Sequence, residues 1–205
     1  MCWQPSSAFG GKAMSVSKRL VFPALVGAVV AAMLLPSVGG AVGGRYVFAG
    51  GTPRERMEVA GALDASTFDW QLVPARITIH IERGTPSRAT PGEIWLDADL
   101  LDAGSFAWGV IQHEYAHQVD FFLLNSAART LLLAELGGST WCDQGAGPSP
   151  NLGCERFAST LAWAYWPSAD NCMRPATKGA MSPTHFRHLL SGLIDGAVAR
   201  GEGDR

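Results

Sequence analysis

The chain has 205 residues, 47% of them apolar and 17% charged, and its 16 basic and 18 acidic side chains give a formal charge of −2. This length makes one ordinary domain with a tail, and the composition is too apolar for a disordered chain. No basic run follows the N-terminal region, which excludes a phosphate-backbone binder, and four cysteines are too few for a disulfide scaffold.

The first element in chain order reads as an address. Lys18 and Arg19 precede an uncharged run from Leu20 to Leu35, and Pro36, Ser37 and small residues follow through Gly44. A basic segment, an apolar segment and a small-residue cleavage site form a secretory signal. Cleavage after Gly40 or Ala41 fits equally well, and Met14 is an alternative start. The competing reading is an uncleaved membrane anchor, although the run falls short of the ~20 apolar residues a spanning helix needs. Either reading expects residues 42–205 to be secreted or anchored outside the cytoplasm. Removing residues 1–41 takes away Lys12, Lys18 and Arg19 and no acidic residue, so 13 basic face 18 acidic groups and the charge becomes −5. The expectation is therefore no nucleic-acid partner, and membrane contact only through the N-terminal segment.

Thr52-Pro53-Arg54-Glu55 has the form of a capping box with proline at the first helical position, which predicts a helix to about Ala65. Arg76 to Glu82 alternates, with Ile77, Ile79 and Ile81 opposite Thr78, His80 and Glu82, and predicts a half-buried strand. Gly84, Pro86 and Pro91 mark a loop, and Glu93 to Leu100 alternates again as a second strand. A helix is expected from Ser105 through Leu123, continuing helically from Ala127 to Leu136 and stopping at Gly137-Gly138. Thr140 to Gly153 is loop, Glu155 to Trp166 is a helix ended by Pro167, and Ser182-Pro183 opens a last helix.

The chemistry concentrates on the fourth of these segments. His113-Glu114-Tyr115-Ala116-His117 is an HExxH sequence. Residues four apart on a helix share a face, so both imidazoles can reach one zinc ion, with Glu114 beside the open coordination position as a base. Val110, Ile111, Tyr115, Ala116 and Val119 leave the flanks uncharged, as a buried zinc helix requires. A histidine six residues after His117 would complete another ligand pattern, but that position is Leu123. Asp120 lies on the ligand face, and its short side chain is better placed to hold an imidazole N–H than to reach the metal. Glu155 is the better third ligand. It opens a helix 38 residues after His117, enough chain for a helical hairpin to turn, and Ala158 and Ala162 on its face permit close approach.

His113-Glu114-x-x-His117-x-x-Asp120 followed by Glu155-x-Phe157-Ala158 resembles the gluzincin metallopeptidases, and among them the lethal-factor-like peptidases (the catalytic domain of anthrax lethal factor and its relatives). The resemblance covers about Val110 to Trp166. It implies a small zincin-like α+β domain in which a short sheet packs on an HExxH helix and a Glu-bearing helix. It also implies Zn2+ held by His113, His117 and Glu155, with Glu114 as catalytic base acting on a peptide or protein substrate. Two positions depart from the family pattern. Ser159 stands where an acidic partner for a ligand is frequent, and a serine can still hydrogen-bond an imidazole. Pro148 stands where the lethal-factor pattern has the tyrosine that stabilises the oxyanion. Tyr165, His185 and His80 are the candidate substitutes.

Of the cysteines, Cys142, Cys154 and Cys172 follow the N-terminal segment. Outside the cytoplasm a pair is expected to be oxidised, either Cys142–Cys154, which would staple the loop before Glu155, or Cys142–Cys172, with one thiol left over. Cys154 as a thiolate ligand is a minor alternative. Trp141, Trp163 and Trp166 read as core, and His188 reads as surface. The functional expectation is an extracytoplasmic zinc metallopeptidase. Its rivals are a non-catalytic binding protein that keeps zinc as a staple, and a hydrolase of cell-wall peptide.

Overall fold

A computed structural model describes residues 44–142, 149–174 and 180–201. The expected signal or anchor at 1–41 and the position of Pro148 lie outside the described residues. The fold class is α+β, as expected: the described residues form four strands in one mixed sheet and six α-helices.

Strand β1 (Tyr46–Gly50) leads into helix α1 (Pro53–Ala65). Both halves of the capping box form: the Thr52 hydroxyl accepts from the Glu55 N–H, and the Glu55 carboxylate accepts from the Thr52 N–H. A 3-10 turn at Trp70–Leu72 returns the chain to β2 (Ile77–Glu82), which lies parallel to β1. Strand β3 (Arg88–Thr90) pairs antiparallel with β4 (Glu93–Asp97), and β4 is parallel to β2, giving the order β1-β2-β4-β3. Pro91 and Gly92 make the turn between β3 and β4. Gly92 has φ 83°, a value that side chains disfavour at this turn position.

The second predicted strand needs correction. Only Glu93–Asp97 is extended. The Asp97 carboxylate then accepts from the Asp99 N–H and starts the short helix α2 (Ala98–Leu101). Strand β4 lies inside the sheet between β2 and β3, and β3 and β1 are the edges.

Helix α3 (Ser105–Leu123) is buried without interruption from Gly109 to Asp120. Leu124 and Asn125 end it, and the Asn125 side chain caps α4 (Ser126–Leu136) through the Ala128 N–H, so the expected helical continuation is a second helix. Helices α5 (Gly153–Tyr165) and α6 (Pro183–Gly201) complete the fold. One core joins the inner sheet face (Ile77, Ile79, Ile81, Ile94, Leu96) to Ile111, Tyr115, Ala116 and Val119 of α3 and Phe157, Ala158 and Leu161 of α5. Among the described residues no helix is long and apolar enough to cross a membrane.

Candidate metal centre

Helices α3 and α5 run antiparallel. His113 faces Ser159 and Glu155, whereas Val110, one turn earlier on α3, packs with Ala162, further along α5. Ala158 and Ala162 are fully buried, and on the α5 side their small side chains let the helices approach closely.

That close approach brings three donors together. His113 Nε2 lies 3.1 Å from Glu155 Oε2 and 3.3 Å from His117 Nε2, and His117 Nε2 lies 3.7 Å from Glu155 Oε1. The three ligand atoms fall within 4.8 Å of one another, and among the described residues no fourth side chain joins them. Two imidazole nitrogens and one carboxylate are the donor set that zinc takes in many hydrolases. The Ser159 hydroxyl lies 3.1 Å from His113 Nδ1, which turns the opposite nitrogen of that ring toward the cluster.

The electrostatics suit the same role. Burial pushes the pKa of His117 down to about 3, with the neighbouring His113 adding to the shift, so the ring is neutral and its lone pair is free to ligate. Burial also works against protonation of His113, but the hydrogen bond to Glu155 and the charges of Glu114 and Glu155 outweigh it and leave this pKa raised. Glu155 is held below its ordinary range: burial would raise it, but its bond to His113 and the charges of both histidines prevail. Burial raises Glu114 to about 7, against the pull of His113 and Arg88 and with the charge of Glu155 reinforcing it. A carboxylate tuned near neutrality can both accept and return a proton.

Asp120 does something other than expected. Its carboxylate accepts from Arg129 Nε at 2.7 Å and from the Trp141 indole N–H at 3.0 and 3.1 Å, rather than from an imidazole. It ties α3 to α4 and to the segment before α5.

Two of the candidate oxyanion donors, Tyr165 and His80, are set apart from the cluster. Tyr165 lies ten residues along α5 from Glu155, about 15 Å at 1.5 Å per residue, and packs edge-on against Phe68. His185 is exposed on the first turn of α6. His80 points to the outer sheet face, where its ring stacks on Trp95 at 4.9 Å. His188 is exposed, as expected.

Of the two cysteine pairings, Cys142–Cys154 is the one formed, with Cα atoms 5.6 Å apart. Cys142 is therefore not joined to Cys172, and Cys154 is not a thiolate ligand. No described cysteine is free, so the expected spare thiol is also absent. Trp141 packs on Phe157, Trp166 packs on Trp108, and Trp163 lies beneath Arg174.

Two glutamines that sequence reasoning passed over hold helix α3 in place. Gln112 donates to the Ala62 carbonyl of α1. Gln118 donates to the carbonyls of Thr90 and Glu93 and accepts from the Gly92 N–H, so it fastens the β3–β4 turn to α3. Both are fully buried. Their signal was two uncharged polar residues flanking HExxH on an otherwise apolar helix. No family model, curated protein or solved structure matches this chain.

Proposed function

We propose that the chain is an extracytoplasmic zinc-dependent metallopeptidase of the gluzincin type. The observation that carries this reading is the convergence of His113, His117 and Glu155 from two helices, with Glu114 buried beside them. In this reading the two imidazoles and the Glu155 carboxylate hold the ion. Zinc held there supplies a Lewis acid that polarises a peptide carbonyl and acidifies a water toward a pKa of ~7. Glu114 takes the proton of the attacking water and delivers it to the departing amine, a transfer suited to a carboxyl near pH 7. Ser159 fixes the His113 ring through Nδ1.

A purely structural zinc site is normally closed by a fourth protein ligand, whereas a catalytic site keeps that position for water. Three donors among the described residues, and an adjacent glutamate for which a staple has no use, favour catalysis over the binding-protein reading. The short edge strand β3, fastened beside α3 by Gln118, is the edge along which an extended peptide would lie.

The test is metal analysis of the purified chain together with cleavage of a peptide library, with and without chelator. The expected result is one zinc per chain and chelator-sensitive cleavage. Stoichiometric zinc with no cleavage of any peptide would move the assignment to the binding protein. Glu155→Ala that keeps full zinc stoichiometry would remove Glu155 from the ligand set.

A further inference from the structure

The start of α5 is built in an unusual way. Its cap residue, Leu152, offers no side-chain acceptor, so the first N–H groups need partners from elsewhere. The segment before the helix supplies them: Gly153 N–H donates to the Thr140 carbonyl at 2.8 Å, and Cys154 N–H to the Trp141 carbonyl at 3.1 Å. The Ser139 N–H donates in turn to the Asn151 carbonyl at 3.0 Å. Glu155 is the next residue of that helix.

The same segment is anchored at its other side. The Trp141 indole N–H reaches both oxygens of Asp120, one turn beyond His117 on α3, and Asp120 is 2% exposed and also paired with Arg129. The Trp141 ring packs on Phe157 of α5 and against Gly153, where an added Cβ would stand 2.9 Å from the ring. A covalent bond, Cys142–Cys154, closes the arrangement, and Cys142 is exposed where a reductant can reach it.

We propose that Asp120, Trp141 and the Cys142–Cys154 disulfide form one clamp that positions Glu155, so that zinc affinity depends on the disulfide being formed. The proposal rests on reading the cluster as a zinc site. His113 and His117 sit in the middle of the buried α3 and keep their places without the clamp. Glu155 follows Gly153 and Cys154, whose N–H groups donate to the carbonyls of Thr140 and Trp141, and that first turn frays when the segment is released. Losing the fixed position of one ligand in three weakens metal binding in the way that loss of an outer supporting group does, by about 10–100-fold.

The experiment compares the full-length wild type with Trp141→Phe and with Cys142→Ser/Cys154→Ser. The double serine variant mimics the reduced state without offering thiolates to the metal. Zinc alone is titrated in competition with a chromogenic chelator, and amide exchange is followed in the metal-free proteins. The expected result is zinc binding about 10–100-fold weaker in the double variant and about tenfold weaker in Trp141→Phe. Exchange should accelerate at residues 153–155, while the amides of 111–119 keep wild-type protection. Zinc binding within twofold of wild type in both variants overturns the proposal. So does a loss of protection spread equally over α3 and the sheet, which would make these residues merely structural. If wild type binds zinc no better than His113→Ala/His117→Ala, the zinc reading itself fails, whereas the exchange data still decide whether the clamp exists.

Discussion

Glu55 and Glu114 are both withdrawn from water, at 7% and 4% exposure, yet their carboxyls are shifted in opposite directions. Glu55 is lowered: the backbone N–H of Thr52 is the largest influence, burial opposes it, and the Thr52 hydroxyl bond and the charges of Arg83 and Arg54 add to the lowering. Arg83 in turn bridges Glu55 to Asp99 and Asp102. Glu114 is raised to about 7 because burial outweighs the pull of its neighbours. Glu55 is bonded into the start of α1, whereas burial dominates Glu114. The proposed function makes that under-compensated acid the group that does chemistry, and the bonded one architecture.

Substitutions at these two residues sharpen the contrast. The largest effect is expected from Glu114→Gln, which should keep wild-type zinc stoichiometry while peptide hydrolysis falls by about 10²–10⁴-fold. Cleavage by this variant at the wild-type rate would put the base elsewhere. In chelator, the same substitution should stabilise the protein at alkaline pH. A carboxyl whose folded pKa lies above its ordinary 4.5 disfavours the fold once ionised, so the penalty grows as pH rises from 4.5 through 7. The variant should therefore be more stable than metal-free wild type by on the order of 2 kcal/mol at pH 8, with the difference vanishing near pH 4, as read from thermal unfolding.

Glu55→Gln should do the reverse. A lowered folded pKa contributes stability above the ordinary carboxylate range, and that contribution is lost as pH falls through the folded value. The variant should be about 1 kcal/mol less stable than wild type at pH 7 and should match it in strong acid. If both substitutions shift stability in the same direction at pH 8, the comparison of the two glutamates collapses. The smallest effect is expected from His80→Ala. Although this histidine lies 3.7 Å from Glu93, it sits on the outer sheet face, so zinc titration should stay within about twofold of wild type.

The features legible in the sequence were those set by local periodicity. The capping box, the uncharged flanks of HExxH on α3 and the alternation of β2 depend on near neighbours, and α1 and α3 were legible from them. The i,i+4 spacing of His113 and His117 is likewise a local fact. Strand β1, with five residues and no alternation, and β3, with three polar-flanked residues, exist because partners pair with them, so their own residues announced nothing. Asp120 shows the same limit. Its helical spacing from His117 suggested an imidazole partner, but its partners Arg129 and Trp141 come from other elements, and only the tertiary fold reveals them. Tyr165 and His185 were offered on chemistry alone, and the length of α5 sets Tyr165 apart from Glu155.

The continuous core beneath α3 and α5 has a consequence for assembly. Small zinc-dependent modules collapse without their ion because the metal is the core, and metal binding and folding are then one event. Here Ile111, Tyr115, Ala116, Phe157, Ala158 and Leu161 are buried against one another and against the sheet on their own account. On the proposed zinc reading the polypeptide therefore reaches its final shape before it meets a cation, and removal of the ion should be reversible. On the proposed extracytoplasmic reading, the chain would then acquire its metal at the destination rather than having to carry it there.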